Sequence, residues 1–298
     1  MLQRSSSGES NIALTSDGAS RLAVPELPET ETIARDLDRA ISGAQVIDVR
    51  VRKADVLREV GPREIRKRVV GTSVVRAWRR AKLIVLDLSS GDRIVVQPRF
   101  TGALLVDAGQ LAEAERRYST VELVLGDGRS VHYRDIRRLG TLSVMNDARF
   151  VRYAGALGDE PLDAAFTVER LSAILRASRQ AIKRVLMDQR RIVGVGNIYA
   201  NEVLWRSSID PSRQAASLSP TEAARVYHEL RDVLAAAIRA RGTSFRDYRD
   251  ASGERGAFAS QLQAYGREGE RCTRCGRRLV ATHAIDGRST VFCWRCQH

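Results

Sequence analysis

The sequence predicts an α+β protein of several domains, with a β-rich first half, a helical second half and a metal-binding hairpin at its end. Three observations carry this prediction. About eight short segments rich in β-branched residues lie between positions 45 and 145 and are separated by turns that contain glycine. Past about Phe150 the apolar residues recur at helical spacing. All four cysteines lie at or beyond Cys272.

The start of the chain combines a featureless head with a chemically unusual dipeptide. Residues 1–24 are rich in serine and have no periodic apolar pattern, so we expect a disordered tail or a mis-assigned translation start. Pro25 and Glu26 follow. Inside a chain the proline nitrogen is an amide, but at a free N-terminus it is an amine that can attack an electrophilic carbon. Since valine is what a GTG start codon encodes when read as internal, Val24 is compatible with a mature chain that begins at Pro25.

An amphipathic helix is expected to open the folded part, between Pro28 and Gly43. Its apolar residues fall four apart, and Gly43 suits a C-terminal cap. These apolar residues are Ile33, Leu37 and Ile41. Glu26 and Glu29 could serve only to complement the positive N-terminus of this helix.

The β-rich half is expected to form a sandwich or a barrel, because its strands are short and evenly spaced. The predicted strands are 45–53, 73–78, 83–88, 93–96, 103–106, 121–125, 130–133 and 141–145.

The second half is predicted to be helical over 168–177, 180–187, 198–206 and 220–241. Ser219 and Glu222 form a capping box with proline at the first helical position of the last helix. Gly194 and Gly196 precede Asn197 at another helix start. Such a turn presents backbone N–H groups to an anion, although it also serves as an ordinary tight connection.

Two C-x-x-C pairs predict a tetrahedral zinc site at the C-terminus. Each pair offers two thiolates from one turn, and the segments 279–282 and 289–292 between the pairs resemble the strands of a hairpin. A disulfide is disfavoured in a cytosolic protein, and a redox pair does not require four cysteines. Four thiolates leave no open position, so we expect one structural Zn²⁺. The ligands are Cys272, Cys275, Cys293 and Cys296.

Composition points to a polyanionic partner. The 298 residues carry 49 basic and 36 acidic side chains, a net charge of +13 and a pI near 10.3. Nucleic acid is the expected partner, although only four of the basic residues are lysines, so that biased codon usage could contribute part of the arginine excess. Neither a membrane span nor a signal peptide is recognisable, and we expect a cytoplasmic, nucleoid-associated protein.

The chain resembles the bacterial formamidopyrimidine-DNA glycosylases from Pro25 to His298. The resemblance rests on motifs that occur in the family's order: 25–29 (PELPE), 80–82 (RAK), 133–140 (YRDIRRLG), 158–162 (GDEPL), 193–200 (VGVGNIYA), 263–267 (QAYGR) and the four cysteines. It implies a β-sandwich with flanking helices, a helix-two-turn-helix domain and a zinc finger. We assign 25–150, 151–260 and 261–298 to these three domains.

The resemblance also implies site residues. Pro25 matches the nucleophile that attacks the anomeric carbon of a damaged nucleotide, and Glu26 matches the proton shuttle. Lys82 matches a lysine that contacts substrate and phosphate, although it could be an ordinary solvated charge. Asn197 and Arg288 match the phosphate-binding asparagine of the helical domain and the arginine of the finger hairpin.

Three further residues match side chains that fill the space left by an extruded base. Arg138 matches the family's arginine. Phe100 stands where methionine is common, and Leu139 stands where phenylalanine is common. Both remain apolar wedges, so we expect intercalation to be retained.

The implied function is that of a bifunctional DNA glycosylase and AP lyase, a monomer that acts on oxidised purines (8-oxoguanine, formamidopyrimidines) in damaged double-stranded DNA. Leu27 and the segments 242–247 and 263–266 favour this branch over endonuclease VIII-like enzymes, which prefer oxidised pyrimidines. A catalytically silent DNA-binding protein is the alternative if Pro25 is not the free N-terminus.

Overall fold

The computed structural model describes residues 24–244 and 248–298. All but the last residue of the predicted tail 1–24 therefore lies outside the described residues, as do positions 245–247 of the segment taken to favour purine lesions. No helix of the described ranges is both long enough and apolar enough to cross a bilayer.

Two four-stranded antiparallel sheets form the first half, as the strand spacing predicts. One has the order β1-β6-β7-β5 and the other β2-β3-β4-β8, with the main core between them. The strands of the first sheet are β1 (Val46–Val51), β5 (Gly102–Asp107), β6 (Ser119–Leu125) and β7 (Ser130–Asp135). Those of the second are β2 (Val74–Arg80), β3 (Leu83–Leu88), β4 (Arg93–Gln97) and β8 (Thr141–Met145). Helices α2 (Pro62–Val69), α3 (Glu113–Arg116) and α4 (Asp147–Gly155) flank this sandwich.

Three turns of the sandwich lie at one end because of the strand register. Arg80 pairs with Leu83 across the β2–β3 turn, and Ile84 pairs with Val96 near the end of β4. Gln97 then pairs with Thr141 at the start of β8. The β2–β3, β4–β5 and β7–β8 turns are therefore neighbours, and these turns carry the predicted residues Lys82, Phe100, Arg138 and Leu139.

Helix α1 (Leu27–Ile41) joins the two halves of the molecule. Pro28 lies in its first turn, and Ile33, Leu37 and Ile41 are fully buried in the sandwich core, as their spacing predicts. The first residue, Leu27, instead packs in the helical core. Helix α1 thus packs against both the sandwich core and the helical core.

The helical half consists of α5 (Val168–Arg176), α6 (Ile182–Met187), α7 (Asn197–Arg206) and α8 (Pro220–Arg239). Both bonds of the predicted capping box at Ser219 are present. Beyond α8, Tyr248 and Ala251 return to the sandwich core, and the Val106 N–H donates to the Ala251 carbonyl at 2.8 Å. Contacts thus cross the expected boundary at 150/151, and the domain boundaries stay a prediction.

The C-terminal hairpin pairs β9 (Val280–Thr282) with β10 (Thr290–Phe292), within one residue of the predicted strands. Its own apolar cluster is small and includes Leu279, Val291 and Trp205 of α7.

Candidate active site and nucleic-acid interface

Glu26 lies where the N-terminus of α1 meets the N-terminus of α7. Its carboxylate is 2% exposed and accepts hydrogen bonds from the Gly196 N–H at 2.6 Å and the Ile198 N–H at 2.9 Å. Burial raises the pKa of Glu26 to about 7, although the Lys82 charge and these two donors oppose that rise. A carboxyl group with this pKa can both give and take a proton near neutrality.

The glycine turn before α7 is what allows this approach. A Cβ added at Gly196 would lie 2.5 Å from Glu26 Oε1 and 2.7 Å from Lys82 Nζ, so these groups converge on one point. Gly194 has φ +82 and packs against the Leu27 side chain. The backbone N–H of Leu27 donates to the Gly194 carbonyl at 2.9 Å. The anion that this turn receives is therefore the Glu26 carboxylate of the protein itself.

Glu29 makes hydrogen bonds to distant parts of the chain, in addition to complementing the positive N-terminus of α1. Its Oε2 accepts the Glu26 N–H at 2.8 Å, and its Oε1 accepts the Tyr199 hydroxyl at 2.5 Å and the Thr243 N–H at 2.7 Å. Burial raises the pKa of Glu29. This carboxylate ties α1 to α7 and to the segment after α8, a role that only the E-x-x-E spacing hints at in the sequence.

Lys82 stands in the β2–β3 turn, after Ala81 in the left-handed conformation (φ 55). Glu160 holds this turn, since its Oε1 accepts the Ala81 N–H at 2.7 Å and an Arg80 N–H at 2.9 Å. Burial lowers the pKa of Lys82, an effect that Glu26 opposes and Arg288 strengthens. Lys82 is thus no ordinary solvated charge.

Pro25 is buried and directly precedes Glu26. Of the catalytic candidates, the Glu26 carboxyl and Lys82 Nζ converge at Gly196, and Pro25 is the chain neighbour of Glu26.

The finger hairpin reaches the same place from the other side. Asn197 donates its side-chain amide to the Ser289 carbonyl at 3.0 Å, next to the exposed Arg288. The Arg288 charge acts on the pKa of Lys82 and of Lys183. Asn197, Arg288 and Lys82 are thus brought together, and one N–H of the Asn197 amide is bonded to the hairpin backbone.

Lys183 at the start of α6 is a residue that sequence reasoning missed. It is completely buried and donates to Thr290 Oγ1 at 2.6 Å and Asp286 Oδ1 at 3.4 Å. Burial lowers its pKa to about 8. Since the chain has only four lysines among 49 basic residues, their scarcity is the signal that could have singled it out.

Phe100, Arg138 and Leu139 form a second group, on the β4–β5 and β7–β8 turns. The Arg137 guanidinium lies 5.0 Å from the centre of the Phe100 ring. Arg138 pairs with Asp55 at 2.8 Å, and the Leu139 side chain is 42% exposed. These side chains project from the same end of the sandwich that carries Lys82.

The four cysteines form a compact cluster. Their Sγ atoms all lie within 4.8 Å of one another, and Cys275 and Cys293 are 3.5 Å apart. Metal–sulfur bonds of about 2.3 Å in a tetrahedron place sulfurs about 3.8 Å apart, so the donor set fits a metal ion.

Comparisons with known proteins agree with this architecture. The family model described as the formamidopyrimidine-DNA glycosylase N-terminal domain matches residues 24–142. The model described as the H2TH domain of the same glycosylase matches residues 157–249.

Among curated relatives, the formamidopyrimidine-DNA glycosylase of Carboxydothermus hydrogenoformans is 39% identical over 275 residues, which is 92% of this chain and all of that protein. The Roseiflexus enzyme of the same name is 40% identical over 278 residues, again 92% of this chain and 100% of the relative.

Solved structures give the same result. The MutM (Fpg) protein of Thermus thermophilus superposes with a TM-score of 0.80 at 35% identity, covering 92% of this chain and 98% of that one. A Lactococcus lactis Fpg complex with DNA containing an abasic site gives 0.83 at 28% identity, covering 92% and 99%. The chain therefore belongs to the formamidopyrimidine-DNA glycosylase family of base-excision-repair enzymes.

Proposed function

We propose that the protein removes oxidised purines, 8-oxoguanine and formamidopyrimidines, from double-stranded DNA and then cleaves the strand, using the amine of Pro25 as nucleophile when Pro25 is the first residue. The observation that carries this proposal is the carboxyl of Glu26 beside Pro25, buried against the N-terminus of α7 with a pKa of about 7.

The first step joins the Pro25 nitrogen to the anomeric carbon of the damaged nucleotide. The bond from that carbon to the base breaks, and the base leaves with the electron pair and takes up one proton, which balances the proton that the Pro25 nitrogen loses. Glu26 in its protonated form can donate to the sugar ring oxygen, so that the ring opens and a cationic iminium forms.

The second step breaks the strand. The iminium withdraws electrons from the neighbouring carbon and acidifies its C–H bond. In this proposal ionised Glu26 takes the proton, and the electron pair then expels the 3′ phosphate. A single carboxyl with a pKa of about 7 serves both steps because it is populated in both protonation states.

Phosphate groups are proposed to bind where Lys82 and Arg288 converge. Arg288 is exposed at the hairpin, Lys82 is half-buried, and Asn197 holds the hairpin backbone beside them. Two cations in this arrangement can bind the phosphates on either side of an extruded nucleotide. Phe100, Arg138 and Leu139 would fill the space that the nucleotide leaves.

The metal is proposed to be one structural Zn²⁺ at Cys272, Cys275, Cys293 and Cys296. Four thiolates are the donors that zinc prefers, and they leave no coordination position for substrate. The ion would fix the hairpin that carries Arg288. We further propose that the enzyme works as a monomer on damaged duplex.

Borohydride trapping tests the nucleophile. A chain beginning at Pro25 should be trapped covalently on DNA containing an abasic site or 8-oxoguanine. The control is the verified, uncleaved chain from Met1, which should bind the same DNA without being trapped, since its Pro25 nitrogen is an amide that cannot form an iminium. Trapping of a verified, uncleaved chain from Met1 would move the nucleophile to a lysine, with Lys82 tested first.

Two alternatives remain as outcomes of that experiment. A panel of lesion duplexes separates the purine branch from an endonuclease VIII-like preference for oxidised pyrimidines. Intact mass of the native protein, with trapping, separates an enzyme from a silent damage-binding protein whose Pro25 stays acylated.

A further inference from the structure

The two turns that carry Phe100 and Leu139 meet at a single buried carboxylate, Asp135. Asp135 is 1% exposed and lies at the end of β7. One of its oxygens, Oδ1, accepts the hydroxyl of Thr101 from the β4–β5 turn. The other, Oδ2, accepts the Gly140 N–H from the β7–β8 turn at 2.8 Å. Each turn is thus bonded to its own side of one carboxylate.

Thr101, in the β4–β5 turn, also bonds directly to the β7–β8 turn. Its hydroxyl oxygen accepts the Arg137 N–H at 3.0 Å, while the hydroxyl hydrogen is donated to Asp135. The Thr101 carbonyl accepts an N–H of Arg134 at 3.0 Å. Thr101 itself is buried, so these bonds are shielded from water and are costly to leave unmade.

The turns are also in direct contact. A Cβ added at Gly140 would lie 2.7 Å from the Gln97 carbonyl oxygen and 2.8 Å from that of Pro98. Within the β4–β5 turn itself, one added at Gly102 would overlap the Pro98 backbone, so that turn is tightly closed. The two turns therefore pack backbone against backbone, with no room for a side chain at either glycine.

Both turns hold a non-glycine residue in the left-handed region, Arg99 at φ 50 and Arg138 at φ 52. Such a conformation is unfavourable for a residue with a Cβ and persists where the surrounding contacts hold it. The hydrogen bonds of Asp135 and Thr101 hold the two turns in this conformation. The Arg137 guanidinium over the Phe100 ring adds a further contact between the turns.

We propose that Asp135 and Thr101 are positioning residues that hold Phe100, Arg138 and Leu139 as one preformed wedge before DNA is bound. The proposal rests on the proposed function, in which these three side chains enter the duplex. A preformed wedge avoids the entropic cost of ordering two loops at the moment of insertion. Asp135 and Thr101 are both buried and bond to the two turns, so we expect them to act on base extrusion rather than on the chemistry at Pro25.

The test uses the full chain and a readout that does not need Pro25. A duplex carries an uncleavable tetrahydrofuran abasic analogue with 2-aminopurine as the adjacent base, whose fluorescence rises when the wedge unstacks it. Thr101→Val keeps the shape of the side chain but removes the hydroxyl, and we expect the rate of the fluorescence rise to fall about tenfold. Thr101→Ser, which restores the hydroxyl, should stay near the unmodified protein.

Affinity for undamaged duplex reports the phosphate contacts and should be unchanged in both variants. Asp135→Asn, which keeps the volume but not the charge, should give an intermediate loss. Equal rates in all variants, or an equal fall in the rate and in undamaged-duplex affinity, would overturn the positioning role. If Thr101→Val fails to fold, Asp135→Asn decides. An unmodified chain that produces no fluorescence rise would instead contradict the proposed function itself.

Discussion

The carboxylate site at Glu26 and the cysteine site in the finger are held together by opposite means. Glu26 is bonded to residues 170 and 172 positions away in the chain, and Glu29 bonds to Thr243, which is 214 positions away. The four cysteines, in contrast, lie within 272–296 and have only a small apolar cluster around them. The first site is a product of domain packing, and we expect the second to need a bound metal ion for its stability.

The two sites are nevertheless connected through α6 and α7. Lys183 donates to Thr290, Asn197 donates to the Ser289 carbonyl, and Asn201 Oδ1 accepts the Val291 N–H at 2.7 Å. These bonds fix one side of the hairpin, while the cysteines fix its base. Loss of a metal bound by the cysteines should therefore release Arg288 from the site without disturbing Glu26, whose carboxyl is bonded to the start of α7 rather than to the finger.

The largest effect is expected from Glu26→Gln, which breaks the carboxylate site alone. Gln cannot exchange a proton, so base excision by the chain that starts at Pro25 should fall by about 10²–10⁴. Zinc content should be unchanged. Single-turnover excision of 8-oxoguanine measures the loss, and a variant with near-normal rates would show that Glu26 has only a structural role.

The pH profile gives an independent check on the same residue. The first step needs an unprotonated α-amino group, whose pKa is ~7.7–8.0, and a protonated Glu26, whose pKa is about 7. Because the acid has the lower pKa, the fraction of molecules with both groups in the required state rises up to a pH between these two values and falls above it. The two requirements give a bell-shaped profile, and Glu26→Gln should remove the dependence on the acid.

The next effect is expected from Cys293→Ser, which breaks the finger alone. Losing one of four ligands should release the zinc and unfold 268–298, since metal binding and folding are coupled in such a small unit. Duplex affinity should fall about tenfold or more, because the phosphate contact of Arg288 is lost with the hairpin.

The sandwich should stay folded in that variant, as judged by circular dichroism and thermal unfolding. Stoichiometric zinc retained by Cys293→Ser and by Cys275→Ser would contradict the assignment of these ligands.

Local features were predictable from the sequence. The spacing of Ile33, Leu37 and Ile41 predicts α1, the short β-rich segments between glycine-containing turns predict the sheets, and the cysteine spacing predicts the finger. Each of these patterns is complete within a short stretch of chain. Glu26 and Lys82 could be placed only by resemblance. Nothing local indicates that they meet at Gly196, since that contact depends on how two cores pack.

Lys183 and Asp135 show what the sequence could not reveal. Lys183 reads as one charge on a short helix, and its burial follows only from the docking of the hairpin against α6. Asp135 lies at a strand end, where an acidic residue is common, and its role depends on two turns that are 34 and 5 residues away from it in the chain. The roles of such residues are set by tertiary contacts between parts of the chain that pack together. No local periodicity in the sequence indicates these contacts.

The smallest effect is expected from Arg288→Ala. This change removes one positive charge from the hairpin that lies between the two sites, and it leaves the Glu26 site and the cysteine cluster intact. If Arg288 binds a phosphate, the slope of log affinity against log salt should flatten by about one unit. Arg295→Ala is the matched control, since Arg295 is an equally exposed arginine on the second cysteine pair, away from the hairpin turn. We expect the control to retain the slope of the unmodified protein and both variants to retain zinc. Equal slopes in the two variants would mean that the finger contributes general positive charge rather than a positioned contact, because a diffuse field does not distinguish one exposed arginine from another.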